Sequence, residues 1–116
     1  MTIMSEWSAE DDKLVTLARS ARGRIGATSG AALRDTTGRT YSSAEVNHSA
    51  LVLSAIQLIT GQAIAAGATG IEALVVVADD VLVTSDDVAV ITAFAGTGVP
   101  IHVVDNSGTL LRTLYS

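Results

Sequence analysis

Few residues in this sequence have side chains suited to chemistry, and they are widely spaced. His48 and His102 are the only histidines, and cysteine is absent from all 116 residues. Thiolate nucleophiles, disulfides and cysteine-held zinc are therefore excluded. Ser54 lies in the uncharged stretch "HSALVLSAIQLITGQ" (residues 48–62). A serine nucleophile needs a base held by a third group, and His48 is the nearest candidate along the chain; the plainer reading is a serine bonded back along its own helix. His48 with Glu45 or with aspartates is a second candidate, as a metal site, but two histidines without a fixed helical spacing carry little of a zinc signature. Asp79, Asp80, Asp86 and Asp87 cluster at one strand-to-helix connection, the edge where α/β domains take ligands, and they offer hard oxygen donors of the kind magnesium prefers. Their plainer reading makes Asp86 and Asp87 first-turn residues of a helix. "GATSG" (residues 26–30) lacks the lysine and the spacing of a phosphate loop. The sequence thus assigns no cofactor and no metal.

Composition narrows the class further. A chain of 116 residues, 48% hydrophobic, fits one domain spanning residues 1–116 with a single core. A net charge of −5 disfavours nucleic acid, whose phosphates need clustered Lys and Arg. "MTIMSEWSAEDDKLV" shows no basic region followed by an apolar stretch, so no signal peptide is expected and the cytoplasm is the default location. No charged residue falls between Glu45 and Glu72, which raises the question of a membrane span. Ser49, Ser54, Gln57 and Gln62 interrupt the run and acidic residues flank it, whereas a span needs about 20 strongly apolar residues. The run divides instead into a helix and a strand of ordinary length.

The elements that must position these residues follow from periodicity and punctuation. Ser8 reads as an N-cap with Glu10, Asp11 and Asp12 in the first turn, and Leu14, Val15, Leu17, Ala18 and Ala21 continue at helical spacing, predicting a helix over 8–23. "GAALRDTTGRTYSSAEV" predicts a hairpin with strands at 31–34 and 39–46 around "DTTG". A second helix is expected over 49–67, apolar enough to be buried on all sides. The segment at 72–79, "EALVVVAD", should be a central strand. "TSDDVAVITAFAGTG" predicts a third helix capped by Thr84 or Ser85 and ending near Gly96. "VPIHVVD" reads as a buried strand, "NSG" as a turn and "TLLRTLYS" as an edge strand. The order is α-β-β-α-β-α-β-β in one layered α/β domain.

In this order, "GAALRDTTGRTYSSAEVN", an apolar helix, a Val-rich strand, a capped helix and "VPIHVVDNSG" resemble the small cytidine deaminases and the related blasticidin deaminases. Members of that family read "VGAAL…DGR.YTG.NVEN", then a helix opening with Cys-Ala-Glu, then a strand, then Pro-Cys-x-x-Cys opening the next helix. The resemblance runs from Asp11 to Ser116 and implies a three-layer α/β/α sandwich around a mixed sheet of about five strands. In the family three protein ligands hold a zinc ion whose bound water becomes hydroxide, and a glutamate beside the first ligand carries protons to the leaving ammonia. Setting "LVLSAIQLI" on "LTLCAECAV" puts Ser54 at the first ligand and Ile56 at the glutamate. Setting "TSDDVAVITAFAG" on the Pro-Cys-x-x-Cys helix puts Thr84, Ser85 and Val88 at the Pro, Cys and Cys positions. A neutral hydroxyl is a poor zinc ligand and isoleucine moves no proton.

The family's substrate segment shrinks to "RIGATSG" without an aromatic. Its ribose-contacting "NVEN" becomes Glu45, Val46, Asn47 and His48, an acid and an amide in exchanged positions. Glu45 and Asn47 are the candidate ligand-binding residues; their plainer reading is to cap a helix and end a strand. About two residues are missing before the second helix. Relatives form dimers or tetramers in which helices near the active sites pack across subunits, and the apolar second helix points to a homo-oligomer. The expectation is a non-enzymatic, degenerate member acting by homo-oligomerisation or on a protein partner. Two alternatives stand beside it: a nucleoside or small-molecule sensor keeping part of the pocket, and a divergent hydrolase with different chemistry.

Overall fold

The computed structural model describes residues 9–78 and 83–116; Ser8, Asp79 and Asp80, singled out above, lie outside the described residues. The segment "IEALVVVA" forms the middle strand, β5 (Ile71–Ala78), of a five-stranded sheet. Antiparallel to it on one side runs β1 (Ser29–Asp35), and parallel on the other runs β6 (Pro100–Val104). The edges are β2 (Thr40–Ala44), beside β1, and β7 (Leu110–Tyr115), beside β6, giving the order β2-β1-β5-β6-β7. A parallel pair needs a crossover connection, and helix α3 (Ser85–Ala95) lies in the link between β5 and β6.

Side chains alternate across β5, so the strand feeds two cores. Leu74 and Val76 join Ala31, Leu33 and Ile101 on one face, where helix α2 (Ala55–Ala65) adds Ile56 and Ile59 and α3 adds Ile91. On the other face Val75 and Val77 meet Leu14, Val15 and Ala18 of helix α1 (Ala9–Ile25). The fold is the expected three-layer α/β/α sandwich with a mixed five-stranded sheet. Helix α1 lies so close to β1 that a Cβ on Gly30 would sit 2.3 Å from the Ala18 carbonyl oxygen, which demands glycine there.

The second helix departs from its sequence reading. Residues 49–53, expected in its first turns, instead complete a separate hairpin, β3 (Val46–His48) against β4 (Leu51–Leu53), and α2 begins only at Ala55. The cause is Ser54. Its hydroxyl accepts from the Gln57 N–H at 3.0 Å, and the Gln57 side chain accepts from the Ser54 N–H at 2.9 Å, a reciprocal capping box that fixes the helix start. Nor is α2 buried on all sides: Ile56 and Ile59 are covered, but Ile64 is 52% exposed. Among the described residues no helix is long and apolar enough to cross a membrane.

The two tight connections within the sheet share one device. Asp35, fully buried, accepts from the Thr37 N–H and hydroxyl at 2.9 and 2.8 Å, the Arg39 N–H at 3.0 Å and the Tyr41 hydroxyl at 2.9 Å. Asp105 repeats the pattern with the Ser107 N–H at 2.9 Å, the Ser107 hydroxyl at 2.7 Å and the Thr109 N–H at 2.9 Å. Gly38 and Gly108 take φ of 92° and 91° in the two turns, where a side chain would be strained. Burial opposes the charge on Asp35, but the hydrogen bonds from Thr37, Tyr41 and Arg39 outweigh it and hold the carboxyl at about 2, against 3.8 when free. A depressed carboxyl stabilises the fold fully above its free value and loses that stabilisation as pH falls through its folded value. We expect Asp35→Asn to melt below the native protein by a constant margin above about pH 4, with the gap closing toward about pH 2. Melting curves across that range check it; a gap unchanged at the acid end would contradict the assignment.

Candidate functional site

Two helix N-termini meet at the carboxyl end of β5. Ser54 caps α2, and Thr84 caps α3 in a second capping box: its hydroxyl accepts from the Asp87 N–H at 3.1 Å, and the Asp87 carboxylate accepts from the Thr84 N–H at 3.2 Å. Between these ends and the start of β1 lies a cavity of about 200 Å³. Ile56, Val76, Ala78 and Val83 give it an apolar floor; Thr28, Ser29, Glu45, Ser54 and Asp87 supply its polar wall. This is the position at which α/β domains carry ligands, beyond the carboxyl ends of the strands.

The polar wall is held by hydrogen bonds from within. Ser54 donates its hydroxyl proton to Asp87 Oδ1 at 2.7 Å, so Asp87, 95% buried by its 5% exposure, serves both helix ends. Glu45 accepts from the hydroxyls of Thr28 and Ser29, the latter at 2.7 Å. The Thr28 bond, helped by Ser29, outweighs burial and lowers the Glu45 carboxyl below its ordinary value. Glu45 is therefore an anion at neutral pH.

The structure gathers some of the residues singled out in the sequence and disperses others. Ser54, Ile56 and Glu45 line the cavity. Asn47 is exposed on β3, opposite Val52, and does not line it. His48 is also exposed, and its Nδ1 accepts from the Ala50 N–H at 3.0 Å, which closes the small hairpin. It is Asp87, far along the chain, that meets Ser54. His102 is buried under α1, where Nδ1 lies 2.9 Å from the Thr113 hydroxyl and Nε2 lies 4.0 Å from Asp11. It borders a different cavity of about 370 Å³ with Arg34 and Tyr115, so the two histidines share no site.

On α3, Ser85 is exposed and Val88 packs against the core. Neither lines the cavity; Asp87 does. Asp86 and Asp87 are first-turn residues, as the plainer reading had them, but Asp87 has a further role that spacing from Ser54 could not reveal. The available signals were the matched patterns Ser-x-x-Gln at 54–57 and Thr-x-x-Asp at 84–87, both helix-start signatures.

Zinc of the kind the family resemblance implies does not fit these donors. Ser54 spends its proton on Asp87, Ile56 is apolar, and among the described residues no three of His, Asp and Glu come together to hold a metal ion. Such sites take thiolates, imidazoles or carboxylates in tetrahedral array.

Known proteins place the fold. No curated protein matches the chain in sequence. Among solved structures, cytidine deaminase from Burkholderia pseudomallei is similar at 20% identity and a TM-score of 0.75, covering 89% of this chain and 90% of that one. Cytidine deaminase from Mycobacterium leprae is similar at 18% identity and a TM-score of 0.69, covering 93% and 94%. A mutant cytidine deaminase from Mycobacterium tuberculosis gives 20% identity and a TM-score of 0.70 over 81% and 85%. At these identities the likeness is one of fold. The cytidine deaminase-like family profile matches residues 7–108, most of the sequence, and the chain accordingly belongs to the cytidine deaminase-like family.

Proposed function

We propose that this cytidine deaminase-like domain is non-catalytic and acts by binding, in the first place to a second copy of itself. The observation that carries the reading is the Ser54 to Asp87 hydrogen bond of 2.7 Å beside a buried Ile56. Hydrolytic deamination of cytosine needs an activated water and a group that carries protons to the leaving amine. The start of α2 offers neither: its hydroxyl is committed and its next inward side chain is aliphatic. We expect protein purified without a chelating tag to carry far less than one zinc per chain and to release no ammonia from cytidine or deoxycytidine. One equivalent of zinc, or measurable turnover, would overturn the reading.

Self-association is supported by where apolar side chains remain uncovered. Val52 and Ile25 are each 70% exposed, and Leu51 and Ile64 about half exposed at 51% and 52%. A groove of about 320 Å³ runs from Ile25 at the end of α1 along β2 to Val46 and Gln62, and Leu51, Val52 and Ile64 are not among its lining residues. A two-stranded sheet of three-residue strands is marginal by itself, so covering the hairpin stabilises it. A second copy is the simplest partner because closed symmetric dimers dominate oligomers; another protein is the alternative. Light scattering at micromolar concentration should give a dimer or tetramer, and Val52→Asp should shift it toward monomer. A native monomer under those conditions removes this role.

A second reading has its own observation. The cavity of about 200 Å³ keeps an anionic Glu45, held by Thr28 and Ser29, above an apolar floor, which suits a small neutral molecule bearing hydroxyl donors, such as a nucleoside. On this reading the domain is a sensor. A ligand at 100 times its dissociation constant adds about 2.7 kcal/mol of stability, so a thermal-shift panel of nucleosides and nucleotides decides. Nucleosides should raise the melting temperature of the native protein, and Glu45→Gln should abolish the rise; silence across the panel leaves self-association as the role.

A further inference from the structure

The family pattern places one metal ligand at the opening of one helix and two more, three residues apart, at the opening of the next. Setting the sequences side by side assigns the latter pair to Ser85 and Val88, but the geometry selects a different pair. Exposure does not separate Thr84 from Ser85, since both are exposed, but Val88 packs against the core. Thr84 and Asp87, also three apart, carry the side-chain oxygens that interlock at the start of α3, and Asp87 reaches across to Ser54 at the start of α2. We infer that Ser54, Thr84 and Asp87 occupy the three ligand positions, and that their hydrogen bonds brace the two helix N-termini together without a metal ion.

The chemistry suits a brace. Each helix start presents unpaired N–H groups and a partial positive charge. One carboxylate contacts both ends: Oδ2 takes the Thr84 N–H at 3.2 Å, and Oδ1 takes the hydroxyl proton of Ser54, the cap of α2, at 2.7 Å. The second is a hydroxyl bonded to an anion, the shorter and stronger kind of hydrogen bond. Ser54 in turn accepts from Gln57 at 3.0 Å, so the chain of bonds runs from one cap into the other. A metal would pull its ligands together by charge; here a shared proton and a buried carboxylate do so, and the proton on Ser54 is part of the tie. The inference depends on this geometry and not on whether the domain self-associates.

A double-mutant cycle with Ser54→Ala and Asp87→Ala, read by thermal unfolding, tests it. Each single change should lower the melting temperature by about 4 °C or more. The double variant should fall well short of the sum, because either change alone already breaks the shared bond. Additive losses mean two independent caps and overturn the brace. A second measurement uses metal content. Ser54→Cys with Thr84→Cys and Asp87→Cys should acquire one zinc per chain, whereas Ser54→Cys with Ser85→Cys and Val88→Cys should not. Zinc in the second set, or in neither, overturns the assignment of positions. A native melting temperature that drops on adding a chelator would likewise overturn it, since the brace needs no ion.

Discussion

Burial of β5 on both faces is the constraint on which the rest of the domain depends. Seven of its eight residues are buried, Glu72 alone being exposed, so the strand is stable only with a helical layer on each side. Its alternate residues supply that demand separately. Val75 and Val77 call for α1; Leu74 and Val76 call for α2 and α3. The parallel neighbour β6 then forces the chain across the sheet through α3. That crossover brings the start of α3 beside the start of α2, at the end of β5 where Ala78 becomes cavity floor. The site is a consequence of the sheet order before any side chain in it is considered.

What fills the space between two helix starts is then an electrostatic question. Orphan N–H groups there favour an anion, but a lone buried carboxylate is costly unless hydrogen-bonded. Asp87 meets both conditions with bonds from Thr84 and Ser54. Glu45 solves the same problem differently, drawing on Thr28 and Ser29 at the head of β1. Among the described residues no basic side chain lines the cavity, and hydroxyls and an amide hold its two carboxylates. A pocket arranged in this way is unsuited to phosphate.

Much of the fold was legible because its signals are local. The Val-rich run needed no partner to be read as a central strand. "DTTG" and "NSG" marked turns because aspartate and glycine do specific jobs there, and Thr84 or Ser85 announced α3, whose cap is Thr84. The start of α2 was misread for an equally physical reason. Residues 46–53 form strands whose side chains are mostly exposed or half-buried, so burial imposed no alternation on them and Leu51, Val52 and Leu53 looked like more helix. The corrective signal, Ser54 followed by Gln57, was present but weaker than the hydrophobic run around it. The Ser54–Asp87 contact was out of reach altogether. It joins two helices packed on the same face of the sheet, and no sequence spacing encodes which residue of α3 meets the start of α2.

The uncharged character of α2 follows from the same physics. Ile56 is 2% exposed, packed under β1 and β5. A carboxylate at that depth is tolerable beside a bound cation, which neutralises it, and several kcal/mol worse without one. An apolar residue at 56 and a donor set unsuited to zinc are therefore two sides of one arrangement. Either change alone leaves a buried charge or an idle ion. Once the helix needs no acid, nothing else in its eleven residues demands charge, and at about 1.5 Å per residue it spans only about 16 Å, roughly half the thickness of a bilayer core. Its apolarity is that of a domain interior, and the carboxylate that meets its start is Asp87 of α3, held by the Ser54 hydroxyl and the Thr84 N–H.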